Sequence, residues 1–113
     1  MGKYLLLMYN KEMRMPKKPT KKQMEDGMRP WREYLTPLMK KGVVESTSPV
    51  QWKGKLVTKA GAKDYKAEKV DIGGYMIVKA KNMAEAVKIA KASPHAKTGM
   101  GPTTIREIVE VPM

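Results

Sequence analysis

The chain has 113 residues, enough for one domain that buries about two-thirds of its unfolded surface. With 42% hydrophobic residues, no cysteine and one histidine, a disulfide scaffold, a thiol nucleophile, a cysteine-ligated zinc and a multi-histidine metal site are all excluded. Lys and Arg number 23 against 11 Asp and Glu, and the resulting net charge of +12 attracts anionic small molecules, nucleic acid or acidic membranes.

No apolar run approaches the roughly 20 residues of a membrane span, and residues 1–9 are too short for a signal peptide. A cytoplasmic protein with one domain over residues 1–113 and no membrane partner is expected.

The first element is a strand over Lys3–Tyr9 (KYLLLMY). Tyr4, Leu6 and Met8 lie on one pleat face and Leu5, Leu7 and Tyr9 on the other. Both faces are apolar, so the strand is predicted to be central and covered on both sides. A basic, proline-containing loop follows. Thr20 with Gln23 forms a capping-box pattern that opens a helix. Met24, Met28, Trp31, Leu35 and Leu38 build one apolar stripe along it. Pro30 and Pro37 each remove a backbone donor, which predicts a kink or break near Gly27–Pro30. Lys40, Lys41 and Gly42 mark its end.

A second strand is predicted over Val43–Thr47. Residues 50–70 form a polar excursion with a minor hairpin, whose best strand is Lys55–Thr58. Ile72–Val78 (IGGYMIV) is a long strand, again apolar on both faces. Asn82 with Glu85 caps a second helix, whose inward stripe is Met83, Val87 and Ala90 and which Pro94 stops. Thr104–Val111 is the last strand. The order β-α-β-β-α-β predicts an α+β, ferredoxin-like fold: a four-stranded antiparallel sheet with both helices on one face, plus a small hairpin insertion.

That arrangement leaves one sheet face without helices, although two strands are apolar on it. An exposed apolar face of that size marks an association surface, so a homodimer with two sheets face to face is expected. Strand direction brings residues 10–22, 48–71 and 93–102 to one end of the sheet. Gathered there are His95, Asp64, Tyr65, Glu68, Asp71 and most of the lysines.

His95 is the one imidazole available for acid–base work, with Asp64 or Asp71 as its possible orienting carboxylate. The plainer alternative is a loop histidine satisfied by backbone carbonyls. Arg106 can hold a carboxylate or phosphate through two parallel bonds, or be taken up in a salt bridge with Glu45 or Glu107. Gly73 and Gly74 inside a strand signal a bulge or close packing. No motif for a nucleotide, a cofactor, a metal or a hydrolase nucleophile occurs, so no cofactor is expected. Nucleic-acid binding has charge in its favour but lacks the aromatic platforms of single-strand binders and of RRM domains, and ranks below small-molecule binding.

KYLLLMY, GVVESTSP and DIGGYMIVKAKNMAEAVKIAKASPH followed by IREIVEVP resemble the YCII-related (DGPF-domain) family over nearly the whole chain. The resemblance implies a dimeric α+β barrel. Function in that family is largely unassigned; some members are proposed enzymes using a His–Asp pair and others are associated with transcription. Ala62–Tyr65 stands where the Asp-Gly-Pro-Phe motif belongs, Lys69 keeps its downstream lysine, and the first helix has no histidine. The resulting expectation is a dimer binding a small anionic or carbonyl-containing metabolite, with Tyr65, Lys69, Tyr75 and Arg106 as ligand-binding residues. Any catalysis would be cofactor-free proton transfer of the isomerase or lyase type, carried by His95 with Asp64 or Asp71. A non-catalytic, transcription-associated regulator is the alternative.

Overall fold

The computed structural model describes residues 1–11 and 18–112. Its elements are β1 (Gly2–Asn10), α1 (Lys21–Lys40), β2 (Val44–Pro49), β3 (Lys53–Thr58), β4 (Gly61–Lys66), β5 (Asp71–Ala80), α2 (Met83–Lys91), α3 (Pro94–Lys97) and β6 (Thr103–Glu107). The main sheet has the order β2-β5-β1-β6, antiparallel throughout, and β3-β4 forms a separate two-stranded ribbon. The predicted ferredoxin-like architecture and its hairpin insertion are present. β1 is central, as its two apolar faces require.

One face of the sheet and the helices share the core. Tyr4, Leu6 and Met8 of β1, Met76, Val78 and Ala80 of β5 and Val44 of β2 are buried. Trp31, Tyr34, Leu35 and Leu38 of α1 pack on them, together with Ile89, Ala86 and Ala90 of α2. Leu6, Met76 and Val78 are almost fully enclosed, each contributing about 1.5–3 kcal/mol of hydrophobic stabilisation. The small residues Ala86 and Ala90 let α2 approach the strands closely.

α1 opens with the predicted capping box: Gln23 N–H donates to Thr20 Oγ1, and Thr20 N–H donates to Gln23 Oε1. This helix has no break, and its apolar stripe turns inward only in part. It runs unbroken from Lys21 to Lys40 with both prolines inside. The carbonyls that lose a donor, those of Asp26 and Glu33, belong to exposed residues that water can satisfy. The apolar stripe is also buried only from Trp31 onward; Met24 and Met28 are more than half exposed. The helix meets the core with its second half alone.

Tyr34 joins the two long helices. Its hydroxyl donates to the carbonyl of Ile89 at 2.6 Å, one of the acceptors that the C-terminus of α2 leaves open. Burial pushes the Tyr34 phenol up to about 12. The folded state therefore holds that proton more tightly than the unfolded chain, whose tyrosines titrate near 10. Its contribution to stability is complete below about pH 10 and is lost as pH rises through about 12. In an ultraviolet absorbance titration, Tyr34→Phe is expected to remove the tyrosine component that ionises near pH 12. A wild-type curve with no such late component would contradict this assignment.

The last strand is shorter than predicted. β6 ends at Glu107, which pairs with Tyr4 near the start of β1, and Ile108 N–H then reaches Lys3 O. In this register Val109 comes opposite Gly2, where β1 begins, and residues 110 and 111 run past it, so the apolar pattern builds no longer ladder.

Candidate functional site

The helix-free face of the sheet follows from register. Leu5 lies opposite Ile77 on one side and Arg106 on the other, and Leu7 lies opposite Tyr75 and Thr104. On the outer strand, Ser46 pairs with Ile77 and Ser48 with Tyr75. A one-residue shift at Glu45 in β2 turns Ser46 and Ser48 onto this face. Leu5, Leu7, Tyr9, Tyr75 and Ile77 are half-buried, and among the described residues no helix covers them.

Two of the predicted ligand-binding residues, Tyr75 and Arg106, share this face. They stand two strands apart, about 10 Å across the sheet, with β1 between them. The Tyr75 hydroxyl and Ser46 Oγ are hydrogen-bonded at 3.0 Å. Arg106 is exposed, and among the described residues it has no ion-pair partner. Glu45, one of its anticipated partners, instead accepts from Lys3 Nζ at 2.9 Å, and that contact lowers the carboxyl pKa. Ser46 was not among the predicted site residues. The alternation of Ser46 and Ser48 in GVVESTSP, beside a strand carrying Gly-Gly-Tyr, is the signal that marks it.

The convergence at one end of the sheet is present. Tyr9 N–H donates to Pro102 O, Lys11 N–H to Met100 O, and Val50 N–H to Gly73 O, while Asn10 pairs with Asp71. The register shift between Met8 and Tyr9 leaves Gly73 as the unpaired residue of the expected bulge. The part of the basic loop at residues 12–17 lies outside the described residues.

His95 sits on α3, whose first turn Ser93 caps by accepting from Ala96 N–H. The ring is buried, with its Nε2 2.8 Å from the carbonyl oxygen of Tyr9. A carbonyl only accepts, so Nε2 carries the proton. Nδ1 then accepts from the Thr103 hydroxyl at 3.3 Å. A carbonyl and a hydroxyl thus stand where the acid–base role requires a carboxylate, and neither Asp64 nor Asp71 is hydrogen-bonded to the ring. His95 ties the 93–103 segment to the end of β1.

The remaining predicted residues form a second group around the ribbon. Asp64 on β4 is exposed and ion-paired with Lys55 on β3. Tyr65 donates its hydroxyl to Asp71, which raises the Tyr65 pKa, and Asp71 also accepts from Ile72 N–H at 2.7 Å. Lys69 is exposed on the segment between β4 and β5. Asp64, Tyr65 and Asp71 line a shallow groove of about 450 Å³ with Leu56, Lys63 and Val70. Nearby, the indole Nε1 of half-buried Trp52 has no hydrogen-bond partner among the described residues. Among the described residues no three His, Asp or Glu side chains gather in a way that could hold a metal ion. Among the described residues no helix is long and apolar enough to cross a membrane.

Comparison with known proteins agrees with this architecture. The model of the YCII-related domain matches residues 2–112, and the chain belongs to that family. Among solved structures it is similar to the 5-chloro-2-hydroxyhydroquinone dehydrochlorinase TftG of Burkholderia phenoliruptrix, determined in complex with 2,5-dihydroxybenzoquinone. The two share 15% identity at a TM-score of 0.52, over 92% of this chain and 90% of the other. At that identity the likeness is one of fold. No curated protein matches the chain.

Proposed function

We propose that the protein is a homodimeric binding domain for a small anionic or carbonyl-bearing metabolite, held between two helix-free sheet faces. The supporting observation is Arg106, a guanidinium that has no carboxylate partner among the described residues and lies beside Leu5, on the sheet face that also carries Leu7, Tyr75 and Ile77. A second sheet laid on this face removes water from that charge. An unpaired buried cation costs several kcal/mol, and a carboxylate gripped through two parallel bonds offsets that cost. The Tyr75–Ser46 pair can donate a hydrogen bond to a second ligand oxygen across β1.

Binding is favoured over turnover because the lone imidazole is unsuited to shuttling a proton. His95 is buried, with both ring nitrogens engaged by protein groups. The test is a thermal-shift and calorimetric screen of mono- and dicarboxylates, 2-keto acids and 2,5-dihydroxybenzoquinone against the wild type and Arg106→Gln. Loss of a charge-assisted pair worth about 1.5–3 kcal/mol should weaken any ligand about 10- to 100-fold. A ligand bound equally well by Arg106→Gln, or a screen without any response, would overturn the proposal.

A further inference from the structure

The β3–β4 ribbon stands apart from the sheet just discussed. Its strands pair in perfect alternation from Lys53↔Lys66 to Thr58↔Gly61, joined by Lys59 and Ala60. Every residue of both strands is exposed, and neither strand packs to any extent on another element. The main-chain bond from Ala67 N–H to Trp52 O closes its base. Six residues at about 3.4 Å each make a projection roughly 20 Å long.

Its charge is one-sided. Residues 53–66 contain Lys53, Lys55, Lys59, Lys63 and Lys66 against the single carboxylate of Asp64. Lys55 takes that carboxylate, which leaves four lysines uncompensated. Two of these, Lys53 and Lys66, are direct cross-strand neighbours. Like charges in that position destabilise a ribbon, and an anion between them relieves the repulsion. Alternation puts Lys53 and Lys66 on one face and Lys63 on the other, with Lys59 at the tip.

We propose that this ribbon docks in the major groove of duplex DNA and contacts its phosphates without reading sequence. This proposal does not rest on the ligand site assigned to the sheet. A major groove is about 12 Å wide and admits a two-stranded ribbon, so phosphates on both walls meet both faces. A flat anionic bilayer meets only one face at a time. The strands carry no Asn or Gln to pair with adenine and no Arg fork for guanine; their lysines act as flexible point charges suited to phosphates. Their one aromatic residue, Tyr65, is bonded to Asp71, so no stacking platform is offered.

The experiment is fluorescence anisotropy of the full chain with a duplex of arbitrary sequence between about 50 and 200 mM salt. Four phosphate contacts predict a log–log salt slope of about −3 to −4. The triple variant Lys53→Gln, Lys59→Gln, Lys66→Gln should bind at least about tenfold more weakly and flatten the slope by about 2.7. Because it removes a like-charge pair, it should fold at least as well as the wild type. A variant of equal net charge, Lys21→Gln, Lys22→Gln, Lys40→Gln on α1, should lose far less. Equal losses in the two variants would show a general charge effect and overturn the proposal. So would absence of DNA binding at low salt, including the case in which phosphatidylserine vesicles are bound instead.

Discussion

Gly101→Ala is expected to destabilise the fold by about 3–5 kcal/mol, a large part of the roughly 6–17 kcal/mol available to a domain of this length. A Cβ at this position would lie 2.9 Å from the Tyr9 carbonyl carbon and closer still to its oxygen. The obstacle is backbone, and it is held from two directions. Tyr9 N–H donates to Pro102 O, and Tyr9 O accepts from His95 Nε2. Moving the 100–103 segment away to admit a methyl group breaks the bond to Pro102, and moving Tyr9 instead breaks the bond to His95. His95→Ala should cost less, about 2–3 kcal/mol, because it leaves the Tyr9 carbonyl buried without a donor but introduces no clash. Thr103→Val, which removes only the donor to Nδ1, should cost least. Chemical denaturation of the three variants tests the ranking. If His95→Ala keeps wild-type stability within about 0.5 kcal/mol, the tie is not structural and the acid–base role regains its footing.

The same region shows which parts of the molecule the chain discloses in its sequence and which it hides. Central placement of β1 is legible because apolar residues on both pleat faces suit only a covered strand. The caps at Thr20 and Asn82 are legible because they are built within four residues. The environment of His95 is not. Its donor and acceptor partners come from Tyr9, 86 residues away, and from a threonine across a turn, and no local pattern specifies either. The extent of β6 is hidden for a related reason. Ile105, Val109 and Val111 share a period of two, yet the register carries Val111 beyond Gly2, where β1 begins. Topology did place Tyr65 near Asp71 and the 93–102 segment near Tyr9. It could not tell that the loop-rich end divides into a histidine tie on one side of β1 and an exposed ribbon groove on the other.

Leu7→Glu is expected to convert the proposed homodimer of about 25 kDa into a folded monomer of 12.7 kDa, read by sedimentation equilibrium. A single chain is flat, 44 × 39 × 21 Å, with a radius of gyration of 15.8 Å where a compact chain of this length has about 13 Å. Its thin dimension accommodates one helix layer and one sheet. The uncovered face presents Leu5, Leu7, Tyr9, Tyr75 and Ile77 in register, an apolar patch of the kind that associates. Leu7 is at its middle, flanked by Tyr75 and Thr104, and its side chain points away from the helices. A carboxylate there leaves Leu6, Met76 and Val78 undisturbed, so the circular dichroism spectrum should be unchanged. In a two-fold assembly the substitution appears twice, and each carboxylate desolvated without a partner costs several kcal/mol. The dissociation constant should therefore rise by at least about 1000-fold. Ile77→Lys, on the neighbouring strand, should act the same way through the opposite charge, which excludes a trivial effect of net charge. A wild-type mass of 12.7 kDa at every concentration would remove the second sheet, and with it the low-dielectric setting on which the proposed anion site at Arg106 depends.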